Sequence, residues 1–511
     1  MINILDCTLR DGGYYTNWDF ENSLVDQYIH AANILPIDYL EVGYRNNISK
    51  SYLGKYAYSP IYELERLRSR SQKKLAIMLN EKDTKLGDLF HLTEPIKGLV
   101  DMIRIAVDPV NIERAVKLAE AIKLQGYEVG FNVMYMSRWG QIENFYSNLF
   151  NLNRDTIDLL CMVDSFGGIA PVEVAESIDR IKERIDIPLG FHGHNNLELA
   201  LVNTLTAIEK GVDFVDSTIL GMGRGAGNLK TELLLTYLSK YYNLTVDFNV
   251  MGSLITTFGP LHERYRWGTN LPYMISGANS IPQKEVMEWV GNRIYSFNSI
   301  IRALDNKKEC QIDNKKYPIF KDIAYSDVLI IGGGSGSVEH LDGIIQFIKT
   351  RPNIAIIHAT SRNALYYKNI EAPQYFCLVG SEGERLKKIF NSDISSIRKC
   401  VLPPYPRIMG TDVPLSVEDR TFELESITFT DLYKDSCTSL ALEVALQMMP
   451  KNIYIVGYDG YPNGLTQRER ELSNENEYLF NVFTETCNIK LTSLTPSLYT
   501  DLIVESIYQK I

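Results

Sequence analysis

The chain has 511 residues, too many for one ordinary domain, so two or three are expected. Its 52 Lys and Arg against 63 Asp and Glu leave a net charge of −11, and no concentrated basic stretch suits it to nucleic acid. No apolar run is long enough to span a bilayer, the start lacks a cationic and apolar leader, and seven scattered cysteines without C-x-x-C spacing read as reduced thiols. A soluble cytoplasmic protein is expected.

Through about residue 240, apolar strand-like runs alternate with longer helical patterns. Eight strands are predicted, at Ile2–Leu5, Tyr39–Val42, Leu75–Leu79, Met102–Ala106, Glu128–Val133, Leu159–Val163, Pro188–Phe191 and Phe214–Thr218. Amphipathic segments such as Asn111–Gln125 and Pro171–Arg184 lie between them. Eight β-then-α units over residues 1–245 fit a TIM barrel, whose usual length is about 250 residues. Strands one, seven and eight are neighbours in a closed barrel, so the loops after them converge on its catalytic face.

Strand one runs into Cys7-Thr8-Leu9-Arg10-Asp11-Gly12-Gly13, read as a polar loop. Asp11 offers a hard oxygen ligand and Arg10 a fixed cation, although a capping Asp and a solvated Arg fit the same residues. Glu41, an acid inside an apolar strand, needs a partner, for which Arg45 and Arg104 are candidates. Asp164 and Ser165 end strand six. Ser165 is a candidate donor to a substrate carboxylate, and the pair equally suits a turn into Gly167-Gly168. Strand seven ends in Phe191-His192-Gly193-His194-Asn195-Asn196. Alternation points His192 and His194 to one side, so two imidazoles can aim at one point; two polar loop residues are the plainer reading. Downstream, the glycines of Leu220-Gly221-Met222-Gly223-Arg224-Gly225-Ala226-Gly227-Asn228 permit close backbone approach, and Asn228 offers a carbonyl oxygen.

Residues 246–322 read as a helical, aromatic extension in which Tyr273 either approaches the site or packs. A second α/β region, 323–511, opens with the strand Val328–Ile331 and the turn Gly332-Gly333-Gly334-Ser335-Gly336-Ser337, then a helix from near Val338. Such a turn can offer N–H groups to a phosphate, which makes Gly332, Gly334 and Ser335 candidates. Ser436 opens a later helix, and the strand Ile453–Gly457 leads to Asp459.

The segments Thr8-Leu9-Arg10-Asp11-Gly12, Phe191-His192-Gly193-His194-Asn195 and the glycine loop ending in Asn228 resemble the DRE-TIM metallolyases. That superfamily includes 4-hydroxy-2-oxovalerate aldolase, 3-hydroxy-3-methylglutaryl-CoA lyase, and the 2-isopropylmalate and homocitrate synthases. The resemblance implies Mg2+ or Mn2+ on Asp11, His192, His194 and Asn228. It also implies that Arg10 stabilises an enolate and that Ser165 contacts the substrate carboxylate, while Arg104, within strand four, is a further candidate for substrate contact. Two departures narrow the chemistry. Gly221 to Asn228 lacks the lyase branch's cysteine, and Tyr14 stands where the aldolases carry their histidine base, leaving Tyr14, Tyr15, a metal-bound water or an extension residue for that role. Residues 325–500 resemble sialyltransferase-like and motility-associated glycosyltransferase-like Rossmann domains. There Gly332, Gly334, Ser335, Ser436 and Asp459 would meet a nucleotide-sugar or phosphate.

The expected protein is an aldolase for a pyruvate-like 2-oxo acid and an aldehyde, working in sugar-acid or surface-polysaccharide biosynthesis. An acyl-CoA Claisen synthase and a non-catalytic barrel serving a C-terminal transferase are the alternatives. A homo-oligomer is allowed.

Overall fold

Eight parallel strands close into a barrel: β1 (Asn3–Asp6), β2 (Tyr39–Tyr44), β3 (Lys74–Asn80), β4 (Met102–Val107), β5 (Glu128–Val133), β6 (Leu159–Asp164), β7 (Leu189–Gly193) and β8 (Phe214–Ser217). Closure is by β1 pairing with β8, Leu5 opposite Asp216 and Asp6 opposite Ser217. Each strand lies within two residues of its predicted bounds, because buried parallel strands are nearly continuous apolar runs. A computed structural model describes residues 2–47, 52–292, 300, 301, 303, 304, 315–321, 324–391, 399–407, 411–461 and 467–511. The chain divides into two compact units, Met1–Met287 and Glu288–Ile511.

Strand alternation layers the barrel interior. Leu5, Tyr39, Ala76, Met102, Leu159 and Phe214 form an apolar plug, each from a different strand. Two residues further along the same strands come Glu41, Arg104, Cys161 and Asp216, all buried, with His192 on β7 beside them. A charged layer therefore rests directly on an apolar one, and it must satisfy itself internally. Outward-facing Leu40, Val42, Leu75, Ile77 and Ile103 pack against the surrounding helices in a separate large core.

The segment after β1 is a helix, α1 (Thr8–Thr16), and not the loop expected from its glycines. Asp6 starts it, accepting hydrogen bonds from the Thr8 amide (3.0 Å) and hydroxyl (2.5 Å). Tyr28 (2.6 Å) and Thr231 (2.6 Å) donate to the same carboxylate. Glycine is tolerated at position 13 because the Trp18 indole lies against it; a Cβ there would stand 2.1 Å from the ring.

The expected helical extension includes Phe248–Tyr265, Leu271–Ala278 and Gln283–Asn292. Its stretches at 293–299 and 305–314 lie outside the described residues. Tyr273 is buried and does both, its ring lying against Gly225 of the glycine loop and its hydroxyl meeting that of Tyr15.

The second unit holds an all-parallel sheet in the order β13-β12-β11-β10-β9-β14-β15-β16. Its strands are β9 (Asp327–Ile331), β10 (Ile354–His358), β11 (Gln374–Cys377), β12 (Lys399–Leu402), β13 (Thr421–Glu423), β14 (Asn452–Val456), β15 (Leu491–Ser493) and β16 (Ile503–Val504). Alternate residues of β9 and β10 enter two separate cores, one with the helix Cys437–Gln447 and one with Leu341–Lys349, so both faces are covered. Strand order reverses between β9 and β14. The six cysteines among the described residues are free thiols; Cys310 lies outside them. Among the described residues, no helix is long and apolar enough to cross a membrane.

Candidate active site at the barrel mouth

Asp11 projects from the first turn of α1, His192 from β7, His194 from just beyond β7, and Asn228 from the loop after β8. All four are buried. Asn228 and His194 are joined by a backbone bridge, which ties the glycine loop to strand seven. Gly223 lets that loop close over the site, since a Cβ there would sit 2.7 Å from the Asn228 amide nitrogen.

The proton positions follow from the partners. His192 Nδ1 lies 2.9 Å from Asp216 Oδ2, which also takes a 2.7 Å hydrogen bond from Arg104. Burial pushes the Asp216 carboxyl up, but Arg104 and His192 outweigh it and hold it at about 2. An ionised carboxylate only accepts, so Nδ1 carries a hydrogen and Nε2 is the nitrogen that faces Asp11. His194 Nδ1 donates to the Asp164 backbone carbonyl at 2.8 Å, which leaves its Nε2 a lone pair. Burial, followed by the charges of His192 and Arg224, brings His194 down to about 3, so this imidazole is neutral at ordinary pH.

Three of these groups meet. His192 Nε2 stands 3.5 Å from Asp11 Oδ2 and has no hydrogen-bond partner, and the buried Asn228 Oδ1 has none either. Burial raises the Asp11 carboxyl, while Arg10, the two histidines and the Asn228 amide (2.6 Å) overcome it and hold it below the usual carboxylate range. A divalent cation there would take the place of a proton between the Asp11 carboxylate and His192 Nε2. A carboxylate, the Nε2 atoms of two imidazoles and an amide oxygen make a donor set suited to a divalent ion.

A second close group, Cys7, His192 and Asp216, has potential ligand atoms within 4.8 Å of one another. Chemistry favours the first set. Asp216 is already engaged by Arg104 and His192, and burial followed by the Asp11 charge pushes the Cys7 thiol well up, so it stays protonated.

Arg10 bonds Glu41 through Nε at 2.7 Å and Asp11 through Nη1. Glu41 also faces Arg104 at 3.6 Å. Arg45, the other partner considered for Glu41, instead donates to the carbonyls of Leu92, Tyr58 and Ser59. Arg104, expected as a substrate contact, is fully buried and donates to Asp216, which in turn holds His192. Ser165 Oγ is buried and accepts from the Tyr135 amide at 2.8 Å. The Asp164 carboxylate accepts from the Gly167 (3.0 Å) and Gly168 (3.3 Å) amides, so the pair also forms the expected turn. Tyr14 is 36% exposed and its hydroxyl lies 3.2 Å from that of Tyr44. Tyr15 donates to the Gly225 carbonyl (2.9 Å), and burial pushes its hydroxyl far up, which removes it as a base near neutrality.

In the second unit the glycine turn satisfies itself. The amides of Gly332 and Gly334 donate to the carbonyls of Val456 and Gly457, both at 2.8 Å, and Gly336 donates to Asp459 Oδ2 at 2.8 Å. Ser335 Oγ reaches the same oxygen at 3.5 Å, and Ser436 caps its helix by accepting from the Thr438 amide at 3.1 Å. The Asp459 carboxylate therefore occupies the place expected for a phosphate, a correction to the anion-binding reading of Gly332, Gly334, Ser335 and Asp459. Ser436 is a helix cap.

The sequence reading missed Asp216, Trp18 and Arg224. Asp216 sits inside the run Phe214-Val215-Asp216-Ser217, the same buried-acid signal that singled out Glu41.

The HMGL-like family matches residues 102–251. The 4-hydroxy-2-oxovalerate aldolase of Geobacillus thermodenitrificans is 31% identical over 242 residues, 46% of this chain and 69% of the relative. That of Pelotomaculum thermopropionicum is 31% identical over 287 residues, 55% of this chain and 80% of the relative. A crystallised N-terminal domain of a protein named as an aldolase from Bacteroides vulgatus shares 64% identity. It covers 59% of this chain and 100% of its own, with a TM-score of 0.57. Fold and relatives together define a metal-dependent carbon–carbon lyase of the barrel class. Within that class the chain belongs to the HMGL-like family, alongside the 4-hydroxy-2-oxovalerate aldolases.

Proposed function

We propose that the barrel is an aldolase that forms or cleaves a carbon–carbon bond through the enolate of a pyruvate-like 2-oxo acid, with Mg2+ or Mn2+ held by Asp11, His192, His194 and Asn228. The observation that supports this is the meeting of the Asp11 carboxylate with His192 Nε2, 3.5 Å away and unpartnered, and with the Asn228 side chain, whose amide donates to Asp11 while its buried Oδ1 has no partner. A divalent ion there supplies Lewis-acid polarisation of the keto oxygen and acidifies the neighbouring C–H.

The protein's own groups do the rest. Glu41 and Asp11 hold the Arg10 guanidinium rigidly beside the site, where its charge favours an enolate oxygen over the keto form. Tyr14 handles the methyl proton. Burial, then Tyr14 itself, pushes the Tyr44 hydroxyl well up, so Tyr44 keeps its proton, and Tyr14, the exposed partner of the pair, is assigned the methyl proton. Ser165, at the end of β6, is assigned to the substrate carboxylate, its hydroxyl hydrogen being available while its oxygen accepts from Tyr135.

A place in sugar-acid or surface-polysaccharide biosynthesis rests on the resemblance of residues 325–500 alone. A nucleotide-sugar phosphate at the glycine turn would have to displace the Asp459 carboxylate.

The test is exchange of pyruvate methyl protons in D2O with Mn2+ and no aldehyde. Exchange above the solvent rate, lowered about 100-fold or more by Tyr14→Phe, is expected for removal of a general base. No exchange by protein shown to hold Mn2+ would sink the proposal.

A further inference from the structure

Among the described residues, Arg224 at the barrel mouth has no carboxylate partner. It lies on the glycine loop, partly buried, with its guanidinium 5.5 Å from the centre of the Tyr14 ring. Its buried Nε has no hydrogen-bond partner, and no carboxylate among the described residues pairs with it. The two other arginines of the site differ. Arg10 sits between Asp11 and Glu41, and Arg104 between Asp216 and Glu41.

The backbone around Arg224 is pinned. Gly227 N–H donates to the Arg224 carbonyl at 3.2 Å, the Gly227 carbonyl accepts from Asn195, and the Gly225 carbonyl accepts from Tyr15. A cation on a fixed turn keeps little freedom to swing into solvent, and it retains unused donors of the forked kind that match carboxylate or phosphate. Charge counting says which substrate needs it. Asp11, Glu41 and Asp216 outnumber Arg10 and Arg104 by one, so a divalent ion brings that group to +1 and the carboxylate of a 2-oxo acid brings it to zero. Asp6 and Asp164 stand outside this group because neither carboxylate is bonded to its arginines: Thr8, Tyr28 and Thr231 donate to the first and the Gly167 and Gly168 amides to the second. Arg224 remains over, and it stands beside Tyr14, the residue assigned to the proton.

From this we infer that the aldehyde partner carries its own anionic group, a carboxylate or a phosphate, and that Arg224 binds it. The inference rests on the aldolase reading above. In the addition direction, the bond forms between the methyl-derived carbon of the 2-oxo acid and the aldehyde carbon. The proton leaving that methyl is balanced by the one that completes the new hydroxyl, and the anionic tail takes no part in the bond changes.

Matched aldehydes test it, each condensed with pyruvate in the presence of Mn2+: butanal against succinate semialdehyde, and glyceraldehyde against glyceraldehyde 3-phosphate. The expected kcat/KM ratio of charged to neutral is about tenfold or more in one pair, which also tells carboxylate from phosphate. Arg224→Ala should collapse that ratio toward one, mainly through KM of the charged aldehyde, and Arg224→Lys should keep part of it. A neutral aldehyde preferred by the unmodified protein, or a charge preference that survives Arg224→Ala, overturns the inference. The first outcome needs no variant to fold. Deuterium exchange without aldehyde separates the two ideas: exchange with no charge preference rejects the role of Arg224 and leaves the aldolase reading standing.

Discussion

Asp216 shows how much of the site is decided by a residue that touches no substrate. Its carboxylate takes the Nδ1 hydrogen of His192, and Arg104 keeps it ionised, so the imidazole can present only Nε2 to Asp11. An Asn there has one acceptor oxygen and one amide donor, so the tautomer is no longer dictated. Asp216→Asn should weaken Mn2+ binding by about 10–100-fold, the usual effect of removing a histidine's orienting partner, while circular dichroism stays that of the folded chain. Calorimetric titration measures it; unchanged affinity would separate Asp216 from metal binding. The sequence pattern carried Asp11, His192, His194 and Asn228 as candidates because each is an uncommon donor at a strand end. It offered Arg104 beside Arg45 as a partner for Glu41 but could not add Asp216 to them, since nothing local says that positions 41, 104 and 216 share one level of a barrel. That level follows only once β1 to β8 are in register.

At the level of elements, the strands were legible, and of the glycine-bearing segments the turn after Asp164 was read correctly while those at Gly12 and Gly332 were not. Apolar runs such as Leu75-Ala76-Ile77-Met78-Leu79 admit few readings, and the barrel strands lie where they were expected. The two glycines after Asp11 suggested a loop. Instead Asp6 caps the chain into α1, and the glycines are explained by contact: Trp18 lies over Gly13 and Met222 over Gly12. Such contacts come from residues remote in sequence or from a chain reversal, beyond any helix propensity. The turn at Gly332 failed for a related reason, because its N–H groups are taken by the β14 end and Asp459, more than 120 positions away. The glycine loop after β8 gives an element-level test. Gly223→Ala places a methyl group against the Asn228 amide, so the loop must lift. Mn2+ affinity should fall about tenfold or more with little loss of global stability, as expected when a supporting contact rather than the core is altered. Full affinity in this variant would remove Asn228 from the ligand set.

For the whole molecule, the two units respond differently to acid. In the second, His358 is buried, stacked on Phe376, and donates to Gln374 at 2.8 Å; burial holds it at about 4, below its ordinary 6.5. As pH falls from 6.5 toward 4 the unfolded chain takes the proton first, so this unit loses up to about 1.4 kcal/mol per pH unit. In the barrel, His194 acts in the same sense. Asp164 acts oppositely: burial raises it to about 6 from an ordinary 3.8, so between those values acid favours the folded barrel. Urea unfolding at pH 7 and pH 5 should show the second unit weakening more, and His358→Phe should flatten its slope. An identical slope in that variant would assign the acid sensitivity elsewhere.

The account stands on the ligand set at the barrel mouth, and pulsed electron paramagnetic resonance of Mn2+ bound to the whole chain examines it most directly. The predicted spectrum shows nitrogen coupling from two imidazoles, is lost with Asp11→Asn, loses one coupling with His194→Ala, and persists with Cys7→Ser. Mn2+ bound without imidazole coupling, or binding that survives Asp11→Asn and fails with Cys7→Ser, would contradict it.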